Sequence, residues 1–146
     1  MNDRQQLQQL ISASIPLSEF MQFEISELTD NSIRTRAPLQ TNINIHGSAF
    51  AGSLYSLSML TAWAMLTHRL RQHAIDTELV AARADIRYRK PVTGQIDCHA
   101  TLEPGQTEVF IRQLQRKGRA RMEVEVIVGD GAAIMTALMV ATLKPS

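Results

Sequence analysis

The chain has 146 residues, 45% of them hydrophobic and 20% charged, which describes one ordinary globular domain spanning residues 1–146 with a single buried core. Its formal net charge of +1 excludes a strongly basic, polyanion-binding composition overall, and its single cysteine, Cys98, excludes an intramolecular disulfide. The polar start Met1-Asn2-Asp3-Arg4-Gln5-Gln6 is not a secretory signal, so a reducing cytoplasm is the expected location.

Residues 1–15 predict an N-terminal amphipathic helix, since Leu7, Leu10 and Ile11 fall on one helical face and Pro16 stops the pattern. Phe23, Ile25 and Leu28, the turn residues Asp30-Asn31, and then Ile33, Thr35 and Ala37 predict a hairpin. Residues 49–67 carry no formal charge and reach the length of a membrane span, but Ser53, Ser56, Ser58, Thr61 and Thr67 fit a helix enclosed by protein. That helix is expected over about 51–71, with His68, Arg69, Arg71 and His73 set against the negative end of its dipole.

From Glu78 onward the period changes to two. Ala84, Ile86 and Tyr88 alternate with charged neighbours, as do Ile96, Cys98, Ala100 and Leu102 with polar ones. Turn signals at Glu103-Pro104-Gly105-Gln106, Arg116-Lys117-Gly118-Arg119 and Gly129-Asp130-Gly131 divide the rest into strands near 108–116, 120–128 and 132–143. A hairpin, one long apolar helix and about five further strands make an α+β pattern in which an antiparallel sheet curls around the helix. Repeats and low-complexity linkers are absent.

The chemistry-bearing segment is Asn44-Ile45-His46-Gly47-Ser48-Ala49-Phe50-Ala51-Gly52-Ser53-Leu54-Tyr55-Ser56, within a stretch from Asp30 to Asp76 that holds no other acid. Glycines, hydroxyls, an amide and a histidine at a helix start form a neutral, donor-rich pocket suited to a carbonyl oxygen gaining negative charge. Structural readings compete at each position. Asn44 also suits a turn or cap, His46 has no acid partner in sequence, Tyr55, Trp63, Met59 and Met65 suit the core, and Cys98 reads as a small buried hydrophobe. No metal or cofactor is expected.

The element order and these residues resemble the hotdog family. Many hotdog thioesterases open their helix with Asn-x-x-Gly-x-x-His-(Ala/Gly)-Gly and carry an acid nine residues after the histidine. Asn44, Gly47, Ala51 and Gly52 match that pattern, whereas Phe50 stands at the histidine and Met59 at the acid. The run Ile86-Arg87-Tyr88-Arg89-Lys90-Pro91 resembles the family's strand after the helix. More closely, His46 to Leu57 resembles the thioesterase-like domain that some proteobacteria carry behind an acetyltransferase domain or as a stand-alone protein.

That resemblance implies activity on acyl carrier protein or coenzyme A thioesters, with malonyl-carrier-protein decarboxylation to start fatty-acid synthesis as the leading expectation. It also implies a homodimer, or a higher oligomer, with sites between protomers. Asn44 would hold the thioester oxygen or malonyl carboxylate, and backbone N–H groups of Ala51 and Gly52 would donate to the oxyanion. His46 and Ser53 would orient the carboxylate or protonate the carbanion, and Gly47, Ser48, Phe50, Tyr55, Ser56, Met59 and Tyr88 would line the substrate.

Arg87, Arg89 and Lys90, then Arg116 and Lys117, would dock an acidic carrier or the phosphates of coenzyme A, or else form a solvated face. Nucleic acid is disfavoured because these clusters lack interleaved aromatics. A hydrolase that recruits Asp85 or Glu78 from a partner, and a non-catalytic acyl-binding module, remain the alternatives.

Overall fold

Asn2 starts the first element with a reciprocal cap: its side chain accepts from the Gln5 N–H while the Gln5 side chain accepts from the Asn2 N–H. The computed structural model describes residues 1–145, and helix α1 runs Asp3–Ser14, burying Leu7 and Ile11. Pro16 then opens a second short helix, α2 (Pro16–Phe20), because proline at a first helical position gives up only an N–H that has no partner there. The predicted hairpin forms as β1 (Glu24–Leu28) and β2 (Ser32–Ala37), with a bulge between Ile25 and Glu27.

The long helix α3 spans Ala51–Gln72 and buries Leu54, Leu57, Leu60, Thr61, Met65 and Leu66 among others. After it come β3 (Thr77–Tyr88), β4 (Ile96–Thr101), α4 (Pro104–Lys117), β5 (Arg119–Val128) and β6 (Ala133–Leu143). The strand expected over 108–116 is therefore a helix. Pro104 is its first residue, Gly118 closes it in the left-handed region at φ 74°, and Thr107, Phe110, Ile111 and Leu114 form its buried face at helical spacing. The residues read as two turns bounding a strand are instead the two ends of a helix.

The six strands form one antiparallel sheet in the order β1-β2-β4-β5-β6-β3, and α3 packs against β2, β3, β4, β5 and β6. Along β6 the buried residues alternate small and large, Ala133, Met135, Ala137, Met139 and Ala141, so the helix nests between methionines over alanine floors. This curved sheet around a long helix is the α+β arrangement expected from the sequence. No helix is long and apolar enough to cross a membrane among the described residues.

Inside the core, Thr35 Oγ lies 2.8 Å from Thr61 Oγ, which also sits 2.8 Å from the Leu57 carbonyl. Cys98 pairs with Thr35 across the sheet, and burial pushes its thiol up to about 11. β3 lies at one edge of the sheet with no strand neighbour on its outer side among the described residues, and Val80 is 58% exposed there with Ala81 and Ala82 exposed beside it.

Candidate active site at the start of the central helix

Every helix leaves its first N–H groups without intrahelical acceptors, and usually a side chain supplies one. Here the N-cap is Phe50, which has no such side-chain oxygen, and the first turn contains no acid. The first bond into the helix runs from Leu54 N–H to the Phe50 carbonyl at 3.1 Å. Among the described residues the N–H groups of Ala51, Gly52 and Ser53 find no acceptor, so three donors and the positive end of a 22-residue helix converge on one spot.

The loop before the helix is built by two asparagines. Asn42 is buried, donates from Nδ2 to the Met21 and Pro38 carbonyls at 3.0 and 2.9 Å, and receives the Phe50 N–H on its own carbonyl at 2.7 Å. Asn44 accepts on Oδ1 from the N–H groups of His46 and Ser48 at 2.8 and 3.1 Å, and donates from Nδ2 to Ser48 Oγ at 2.9 Å. Its amide thus shapes the turn in which Gly47 adopts φ 82°. Asn42 was not singled out from sequence; only its position next to a turn could have signalled it.

Two long-range bonds fix this loop against the sheet. The Ala49 N–H donates to the Val92 carbonyl at 2.8 Å, and the Tyr88 hydroxyl donates to the Ala51 carbonyl at 2.9 Å. Burial, with a smaller contribution from Tyr55, holds the Tyr88 phenol above its ordinary value, so it is a neutral donor at physiological pH.

The structure thus brings together Asn44, Gly47, Ser48, Phe50, Ala51, Gly52, Ser53, Tyr55 and Tyr88 around the helix start. His46 sits exposed at the loop tip with no side-chain hydrogen bond among the described residues. Ser56, Met59 and Trp63 are half-buried and continue the Gly52 face of α3 down the helix, a stripe the chain covers only in part. Trp63 is anchored by its Nε1–H to the Leu79 carbonyl at 2.9 Å.

The two carboxylates considered for recruitment by a hydrolase stand elsewhere. Asp85 pairs with Thr136 and Glu78 with Thr142, and both partners point away from the buried face of β6, so these two acids lie on the outer face of the sheet. The basic residues are split. Arg87 is on that outer face, Arg89 brings a guanidinium nitrogen beside Gly131, and Lys90 pairs with Asp130 at 2.9 Å, all on the side of Tyr88 that meets the helix start. Arg116 and Lys117 end α4 beside Arg119, at the far end of β5 from Val128, a separation of roughly 30 Å at 3.3 Å per residue. They do not form one surface with Arg89 in a single chain.

The fold is that of a hotdog protein. The family model described as "Putative thioesterase (yiiD_Cterm)" matches residues 4–139, and the chain belongs to that family. Among solved structures, a Shewanella oneidensis protein described as a putative thioesterase is 34% identical at TM-score 0.87, over 96% of this chain and 97% of that one. A Chlorobaculum tepidum protein of unknown function has TM-score 0.93 at 24% identity, over 97% of this chain and 94% of its own. A Pseudomonas aeruginosa protein described as a probable thioesterase has TM-score 0.84 at 21% identity, covering 96% and 95%. The last two share the fold.

Proposed function

We propose that the protein decarboxylates a malonyl thioester, carried on acyl carrier protein, to the acetyl thioester. The observation that carries this reading is a helix start with three free N–H donors and no carboxylate between Asp30 and Asp76. In the step, the bond between the α-carbon and the carboxylate carbon breaks and carbon dioxide leaves. Its electron pair moves into the thioester carbonyl as an enolate, and the α-carbon then takes a proton from water to give the acetyl thioester. The main requirement is charge stabilisation at the carbonyl oxygen, which the N–H groups of Ala51, Gly52 and Ser53 would supply, each donor being worth about 100- to 1000-fold in rate. Asn44 would act by holding the turn that aims these donors, and a proton-bearing Tyr88 would hold β3 against them.

Hydrolysis is the second reading, favoured by the family's description and that of the Shewanella protein. Attack on a thioester ordinarily needs a carboxylate to act as nucleophile or to activate water. Met59 stands where the acid of many relatives would be, and the outward placement of Asp85 and Glu78 weighs against their recruitment. Two copies would pair through the outer edge of β3, because a twelve-residue edge strand carrying exposed Val80, Ala81 and Ala82 is suited to strand addition by its own kind.

The test supplies malonyl-carrier protein and measures carbon dioxide and free thiol separately. Carbon dioxide release without thiol supports decarboxylation. Thiol release well above carbon dioxide release replaces that reading with hydrolysis, and neither product points to a non-catalytic acyl-binding module.

A further inference from the structure

The face of α3 only partly covered by the chain begins at Gly52 and passes Ser56 and Met59 to Trp63, a run of roughly 16 Å at 1.5 Å per residue. At its lower end it meets a cavity of about 440 Å³ whose apolar wall of Leu10, Trp63, Leu70, Ile75 and Leu79 is joined by the charged Arg71, Asp76 and Lys144. A largely apolar track of this kind leading away from an oxyanion site would ordinarily take a long acyl tail. Its head is not open. The ring of Phe50 lies on Gly52 so closely that a Cβ at that position would overlap it, with ring atoms Cζ and Cδ2 at 3.0 and 3.1 Å.

We propose that Phe50 is the acyl-length determinant of this site: its ring, seated on Gly52, closes the track to long acyl chains and leaves room for a two- or three-carbon acyl group. The inference rests on the acyl-thioester reading above and names the substrate class within it. The absence of a side chain at Gly52 is what lets the ring sit there, while the loop hydrogen bonds of Asn42 hold the Phe50 backbone in place. Phe50 is 55% exposed, so its removal opens the track without emptying the core.

The experiment uses the full chain and stable pantetheine ketones, in which a methylene replaces the thioester sulfur, carrying an acetyl or a decanoyl group. Calorimetry gives their dissociation constants for the native protein, Phe50→Ala and the graded Phe50→Leu. The native protein should prefer acetyl by at least about tenfold, and Phe50→Ala should reverse that preference by a similar factor, with Phe50→Leu between. Equal affinity of the native protein for both compounds, or an unchanged ratio in folded Phe50→Ala, overturns the inference while leaving the acyl-thioester reading standing. Absence of binding by either compound to any of the three proteins overturns both.

Discussion

The hydroxyl of Tyr88, the last residue of β3, donates across 37 positions of sequence to the carbonyl of Ala51, the first residue of α3, at 2.9 Å. One strand end and one helix start are thereby held together where the free N–H donors converge. A single neutral hydrogen bond contributes about 1 kcal/mol, so its importance should lie in positioning. Tyr88→Phe is expected to lower unfolding stability by no more than about 1 kcal/mol and kcat/KM on malonyl-carrier protein by about tenfold. Urea melts and steady-state kinetics on the same preparation check this, and native kcat/KM would reduce the contact to a fastening.

Asn44 makes its amide bonds within the loop, so its removal should affect the turn and the chemistry together. Losing the acceptor for the His46 and Ser48 N–H groups and the donor to Ser48 Oγ in Asn44→Ala should cost about 1 to 2 kcal/mol of stability. Turnover should drop about 100-fold or more as the N–H donors lose their aim. Asn44→Asp keeps the acceptor and should recover the stability but not the rate, because it places a negative charge beside a developing anion. Equal rates in Asn44→Asp and the native chain would remove Asn44 from the site.

The two basic clusters make separable predictions. Charge reversal at Arg87 and Arg89, near the helix start, should raise KM for carrier-linked substrate several-fold at low salt, with kcat held and the effect fading as ionic strength rises. Reversal at Arg116 and Lys117, roughly 30 Å along β5, should change KM less than about twofold. Comparison of the two double variants across a salt series decides it, and a dominant effect of Arg116 and Lys117 would place the carrier at the opposite end of the sheet.

His68 is buried beneath α1, and desolvation holds it below its ordinary value; Asp3 and Asp30 oppose that shift while Arg69 and Arg71 reinforce it. In the unfolded chain it takes up a proton as pH falls through about 6.5, whereas the folded chain resists until a lower pH. The unfolded state then binds more protons, so stability falls below about pH 6.5 and levels off once the folded group also titrates. His99, shifted the same way by burial, adds to the slope. His68→Gln should flatten the loss of urea midpoint between pH 7 and pH 5, and an unaltered slope would exclude His68 as its source.

Much of the architecture was readable because the patterns are strong. A charge-free apolar run specified α3 to within a residue of its end, and turn signals bounded β5 and β6 closely. α4 was misread because its flanking Pro104 and Gly118 doubled as turn signals around the short apolar run Val109-Phe110-Ile111. The buried spacing Thr107, Phe110, Ile111, Leu114 was the discriminating signal. His68, taken as a dipole-facing cation, is buried because α1 covers it, which no local pattern announces. At the site, residue types were legible, but the partnership of Tyr88 with Ala51 depends on how the sheet curls, and the seating of Phe50 on Gly52 on how the loop enters the helix.

Cys98 faces the paired hydroxyls of Thr35 and Thr61 from the middle of β4, with its thiol pushed up to about 11. The folded protein should therefore be inert to alkylating reagents, since the thiolate is the reacting form and neither it nor the sulfur is accessible. Labelling can proceed only through openings that part β4 from the helix, and its rate at saturating reagent counts them. The chain's one thiol is thus an internal clock for the opening of its own core.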